Sequence, residues 1–374
     1  MKKKLIIMTM SLLILAVAIS GCTTAGLATS WPGLNITPDL AYVAFGNYIY
    51  AVKNSDGSLA WRFPQQLVKE NVFFAAPAYE NNTIVVGDYS NVLFSLNATT
   101  GQQNWDFKSA KDRYIASPLL NNGTTYAPNT DGHLYVLDSN GNLLWQFKTL
   151  RPNWSKPVTD GSNFYFGSMD HFLYSLKLTY GQDEIGADEN GKRIAIQKPL
   201  WSTDLVSAIF ADPVLSTSKN ILYAGTLGGK LFALDTQTGN IIWTYPSTGK
   251  LGGIWSSPVL LGDVVLVGDE LGKIYALSAA TGAEVWKAPV DAGAPVIGGG
   301  TAMTDKAAFI TTAGKFSIID SSGSELWNKT FTEPLYTAPK SMNDYIILAA
   351  VGKDFLLTKF DQNGREFWSF NPPK

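Results

Sequence analysis

Cysteine is all but missing from this chain: Cys22 stands alone among 374 residues. An internal disulfide is therefore impossible, and so is a four-thiolate metal site. Histidine is nearly as scarce. Only His133 and His171 are present, which restricts imidazole catalysis and His-ligated metals. Charged residues make up just 16% of the chain. The formal net charge is −2, and it becomes −5 once the first 21 residues, with Lys2, Lys3, Lys4 and no acids, are set aside. A mildly acidic surface does not favour nucleic acid. No Gly-rich phosphate loop, nucleophile elbow or paired-carboxylate motif stands out. Past the N-terminus, no apolar run is long enough to span a bilayer.

The N-terminus reads as an address. Lys2 to Lys4 form a positive region, and an apolar run follows from Leu5 to Ile19, broken by Thr9 and Ser11. That is the length of a signal segment and short for a spanning helix. Ile19-Ser20-Gly21-Cys22 resembles the lipobox of bacterial lipoproteins. The resemblance implies that residues 1–21 are a signal peptide and that Cys22 is acylated and becomes the new N-terminus. The small, polar stretch from Cys22 to Ser30 suits a flexible tether. The expected location is a bacterial membrane surface, facing the periplasm or the cell exterior.

What the chain has in abundance is tryptophan, glycine and a period. Aromatics reach 12%, with 11 Trp, and there are 34 Gly. Trp61, Trp105, Trp145, Trp201, Trp243, Trp286, Trp327 and Trp368 recur at spacings of 44, 40, 56, 42, 43, 41 and 41. Each closes the same phrase. In one copy Ile221-Leu222-Tyr223-Ala224-Gly225 precedes Leu231-Phe232-Ala233-Leu234-Asp235, then Thr238-Gly239 and Trp243. The phrase reads as three short strands joined by Gly-bearing turns. A fourth strand opens each unit at a proline: Pro77, Pro118, Pro157, Pro213, Pro258, Pro295 and Pro339. Two positions earlier stand small residues, Ala75, Ala116, Ser155, Ala211, Ser256, Gly293 and Thr337. Small residues are expected where inner strands crowd a hub.

Four short strands per unit of about 40 residues, copied about eight times, predict an all-β propeller over residues 31–374. Eight four-stranded antiparallel blades are expected, with seven an alternative because the first copy is irregular. Each repeated Trp is expected to fill the space between neighbouring blades.

The phrase Leu-Asp-x-x-Thr-Gly-x-x-x-Trp, at Leu234 to Trp243 with variants at Leu96 to Trp105, Leu277 to Trp286 and Ile319 to Trp327, resembles the pyrroloquinoline-quinone (PQQ) repeat family. That family contains quinoprotein dehydrogenases and also members that bind no quinone. Among the latter is a scaffold lipoprotein of the outer-membrane β-barrel assembly machinery. The vicinal disulfide of many alcohol-oxidising members has no counterpart here. The resemblance implies a non-enzymatic, monomeric, membrane-tethered propeller with no cofactor and no metal, binding a protein partner in the cell envelope. The alternatives are a ligand-binding or sensing propeller for a sugar, peptide or quinone, and a PQQ-dependent oxidoreductase.

Three positions before the inner prolines stand Phe74, Ile115, Trp154, Phe210, Trp255, Ala292 and Tyr336. Phe74, Trp154, Phe210, Trp255 and Tyr336, with Arg113 nearby, would form an aromatic collar at the channel rim. The competing reading is that these rings plug the gaps between inner strands. Arg151, Lys156 and Asp212 fall close in sequence. His133 and His171 are expected to be solvent-facing turn residues. The spacing of 56 marks an insertion over about residues 180–198, expected to be a protruding hairpin with Asn190-Gly191 at its turn.

Overall fold

A computed structural model describes residues 31–179, 184–187, 193–352 and 355–373. Among these there is no helix, and hence none long and apolar enough to cross a membrane. The lipobox with Cys22 and the Asn190-Gly191 turn lie outside the described residues.

The strands form eight sheets of four antiparallel strands, consecutive in seven of them; in the fourth the two inserted strands intervene before the last, and they extend the third sheet to six. These are the blades. Blade 5 shows the common register. Val214 in the innermost strand pairs with Tyr223, Tyr223 with Ala233, and Ala233 with Trp243 in the outermost. The two middle strands are buried on both faces, because a neighbouring blade covers each side. This is why Ile221–Gly225 reads as an unbroken apolar run rather than an alternating one. The outer strand is wetter: Ile241 and Ile242 are exposed and only Trp243 is buried.

The ring closes between blades 8 and 1, where Gly33–Ile36 packs beside Lys340–Met342. Among the described residues no strand is exchanged to close it. The indole of Trp368 donates to Asn54 O at 3.0 Å, and Lys359 Nζ donates to the same oxygen at 2.9 Å. Leu34, Tyr50, Ile347, Leu357 and Phe370 share one core cluster there.

Blade 1 is complete, so the count is eight. Counting inward from Trp61 through Ala51 and Tyr42 leads to Asn35. The same count in blade 2, from Trp105 through Ser95 and Val85, leads to Ala78. Leu34 therefore stands where blade 2 has Pro77, and Trp31 stands where it has Phe74. Blade 7 corrects the proline series. Trp327, Ile318 and Ala308 lead to Thr301, so the small residue there is Gly298 and the proline's place is taken by Gly300. Pro295, Gly293 and Ala292 belong to the loop before it.

The small residues do answer crowding, but between blades rather than on the axis. Ala75, Ala116, Ser155, Ala211 and Ser256 are all buried. A Cβ on Gly298 would lie 2.7 Å from the backbone of Tyr336 in the next blade. The Thr337 hydroxyl reaches Pro32 O across the closure.

The repeated Trp wedges between blades as expected. Trp61, Trp105, Trp201, Trp243, Trp286 and Trp368 each donate an indole N–H to a backbone carbonyl of the next blade at 2.8–3.2 Å.

The insertion forms two strands, Glu184–Ala187 and Arg193–Ile196, but it does not extend its own blade outward. Arg193–Ile196 adds in parallel to the outer strand of blade 3, Leu143–Lys148, with Trp145 opposite Ala195. That makes the six-stranded sheet, and the outer edge of blade 3 is covered instead of open.

Candidate functional site

Each loop from an outer strand to the next inner strand climbs one face of the ring and delivers an extended run to the hub. Alternate residues of such a run share a side. Burial follows this rule: Asn153, Ser155 and Pro157 are buried, while Trp154 and Lys156 are only half-buried and face the axis. The outer position of the run is Trp31, Phe74, Ile115, Trp154, Phe210, Trp255, Ile297 and Tyr336, one per blade. Six of the eight are aromatic and the other two are isoleucine. Trp31 and Ile297 were invisible to a count from prolines, because neither is followed by a proline at the regular spacing. The paired register finds both.

The collar is unevenly built. On blades 4 to 6 its rings touch in sequence: Trp154 lies 4.2 Å from Phe210, and Phe210 lies 5.0 Å from Trp255. The Trp255 indole donates to Glu270 Oε2 at 3.0 Å. That bond and the Gly253 N–H hold the Glu270 carboxyl below its usual range. On blades 1 and 2, Trp31 meets Phe74 edge-on at 5.2 Å, and Phe74 stacks on Tyr89 at 4.0 Å. Arg113 lies over Tyr89 at 5.2 Å and pairs with Asp112 at 3.3 Å. Phe74 itself is buried. Tyr336, on blade 8, is 45% exposed.

The same face carries apolar residues that the repeat did not reveal. Leu150 is 84% exposed, Val206 80% and Leu271 68%. Leu150 and Val206 sit in the loops entering blades 4 and 5. Leu271 sits in the turn between the middle strands of blade 6. Backbone hydrogen bonds from Thr149 to Gly132, Leu205 to His171 and Glu270 to Gly253 bring such turns and loops together. Val206 also has φ +66°, a conformation a β-branched residue rarely adopts. Only residues that follow no period could mark this patch, and sequence offers no period to break at a loop tip.

His133 is not a solvent-facing turn residue. It opens the third strand of blade 3, is half-buried, and its Nδ1 lies 3.1 Å from Asp131 Oδ1. Burial pushes the Asp131 carboxyl up, but His133, the Tyr135 hydroxyl at 2.6 Å and two backbone N–H groups outweigh it and hold it low. His171 is exposed, with φ +80°. Arg151 is exposed near Leu150. Among the described residues no group of three His, Cys, Asp or Glu side chains could hold a metal ion. Lys156 and Asp212 lie one step deeper than the collar, at the hub.

A family profile described as "Outer membrane protein assembly factor BamB", built on the PQQ repeat, matches residues 46–195, 189–286 and 270–373. The chain belongs to this family. The outer membrane protein assembly factor BamB of Nitrosomonas eutropha is 28% identical over 187 residues, which is 49% of this chain and 41% of that protein. A tetrathionate hydrolase of Acidithiobacillus ferrooxidans is 26% identical over 230 residues, covering 57% of this chain and 44% of that enzyme. The chain thus matches less than half the length of either relative. The crystal structure of BamB from Moraxella catarrhalis superposes with a TM-score of 0.68 at 20% identity, covering 85% of this chain and 90% of that one. At that identity the likeness establishes a shared propeller fold.

Proposed function

We propose that this protein is a non-catalytic scaffold, tethered to a membrane through a lipid on Cys22, that binds a protein partner during outer-membrane protein assembly. The family match supplies the setting. The observation that carries the proposal is the apolar face on blades 3 to 6. Leu150, Val206 and Leu271 are exposed on the face that carries the touching rings of Trp154, Phe210 and Trp255. Large exposed apolar residues grouped on one face mark an interaction surface, and aromatic anchors beside them mark its centre. The strained backbone at Val206 holds an apolar side chain outward where burial would otherwise be favoured. On this reading the propeller needs no cofactor, acts as a single ring and lies on the periplasmic side. A polypeptide fits a face of this width and composition better than a sugar, because polar groups converging on one point are few.

Photo-crosslinking in the native envelope tests it. Probes placed at Leu150 and Val206 should give one specific adduct with an outer-membrane assembly protein. A probe at Thr238, exposed on the opposite face, should give none. Equal labelling from both faces, or no adduct from either loop, would overturn the proposal.

A further inference from the structure

Beneath the collar, the next axis-facing position of the eight inner runs holds Gly33, Ala76, Ser117, Lys156, Asp212, Ser257, Gly299 and Ala338. Six of these are glycine, alanine or serine, so side chains leave the hub open at this level. The other two are charged and stand on adjacent blades. Asp212 Oδ1 accepts the Lys156 backbone N–H at 2.7 Å. A third charge arrives from across the ring. Lys340 begins the inner strand of blade 8, opposite blade 4 in an eight-fold ring, and its ammonium interacts electrostatically with both Lys156 and Asp212.

Two ammoniums thus face one carboxylate in a confined space. Neither lysine makes an ion pair of 4.0 Å or less with an acidic group among the described residues, whereas surface lysines such as Lys273 and Lys315 do. Burial, and then Lys156, push the Lys340 ammonium below its usual range, while burial pushes Asp212 up. An excess positive charge gathered at one point of the hub attracts a counter-charge. Ser117 and Ser257 add two hydroxyl donors at the same level.

We propose that the hub is a binding site for one compact oxyanion, such as a phosphate or a small carboxylate, held by the ammoniums of Lys156 and Lys340 with Asp212 setting its affinity. The carboxylate competes with the anion for the same ammoniums. Removing it should strengthen binding, while the one-to-one stoichiometry and the losses at either lysine separate a site from general attraction.

Calorimetry with inorganic phosphate on the whole propeller tests this, with acetate run in parallel to separate the two anion sources. The wild type should bind one phosphate per chain. Lys340→Met and Lys156→Met should each weaken binding at least tenfold, and Asp212→Asn should tighten it several-fold. The Met variants keep the apolar stem, so their melting temperature without phosphate should match or exceed that of the wild type. Phosphate should raise the melting temperature of the wild type and of Asp212→Asn, and leave Lys340→Met unmoved. A wild type that takes up neither anion, or a folded Lys340→Met that binds phosphate as well as the wild type, would overturn the proposal.

Discussion

Seven of the eight junctions between blades show one shared contact, and the junction between blades 3 and 4 is set apart by an added strand. At the seven, a glycine of the following blade lies under the indole. A Cβ on Gly57, Gly101, Gly141, Gly239, Gly282, Gly323 or Gly364 would fall within 2.0–3.0 Å of Trp368, Trp61, Trp105, Trp201, Trp243, Trp286 or Trp327. Each of these glycines also has φ between +71° and +87°. The Thr-Gly turn of the repeat is thus a contact surface as well as a turn: glycine supplies the left-handed backbone and the bare face the indole needs. At the junction between blades 3 and 4 the glycine at the matching position, Gly181, lies outside the described residues. Trp145 at this junction is wholly buried, more so than Trp61, Trp243, Trp286 or Trp368. It packs with Phe164, Phe166 and Leu178 of blade 4, and Arg193–Ile196 pairs beside its strand. Among the described residues no other junction carries an added strand beside its indole.

Removing the indoles gives the largest expected effect and the sharpest contrast. Trp145→Ala should destabilise by about 3–5 kcal/mol, the range for a large aromatic truncated in a closed core. Trp201→Ala, at a regular junction where the ring stays half-exposed, should cost about 2–3 kcal/mol, since less area returns to water. Urea unfolding midpoints would rank the two. A larger loss at Trp201 would mean that burial in the folded ring does not rank the indoles.

Two glycines separate the clash from the backbone at the next level of effect. Gly239 and Gly249 share φ +71°, but a Cβ on Gly239 would lie 2.5 Å from Trp201 while one on Gly249 meets nothing within 4 Å. Gly249→Ala should cost roughly 1 kcal/mol for the left-handed conformation alone. Gly239→Ala adds overpacking and should cost about 3 kcal/mol. Equal thermal shifts for the two variants would show that the indole yields freely and that the glycine serves the shape of the turn only.

The ring was legible because its physics repeats. Eight indoles at one spacing imply eight equivalent gaps, and unbroken apolar runs such as Ile221 to Gly225 imply strands covered on both sides. What failed to show in sequence is whatever departs from the period. Trp31 was hidden by Leu34 standing in the proline's place, and Ile297 by a misleading Pro295 two residues earlier. The insertion showed as a length without a destination, since nothing in residues 180–198 names the blade 3 edge it joins. Lys340 joins Lys156 and Asp212 only through ring closure, which brings blades 4 and 8 opposite one another. Leu150, Val206 and Leu271 look like ordinary loop residues until accessibility singles them out.

The smallest effect probes the same comparison through a single hydroxyl. Tyr42 donates to Ala98 O at 3.3 Å, and that oxygen also accepts the Trp61 indole at 2.9 Å. Tyr126 occupies the matching place in blade 3 and donates to Leu178 O at 2.8 Å, where no tryptophan shares the acceptor among the described residues. A buried carbonyl that loses its sole partner pays its full desolvation cost, whereas one that keeps a second partner does not. Tyr126→Phe should therefore cost about 1–2 kcal/mol and Tyr42→Phe about 0.5 kcal/mol. Amide exchange at the blade 3–4 junction should quicken in the first variant and stay unchanged at the blade 1–2 junction in the second. Equal costs would mean that the inserted segment supplies Leu178 O with another donor, which would make the irregular junction chemically as redundant as the regular ones.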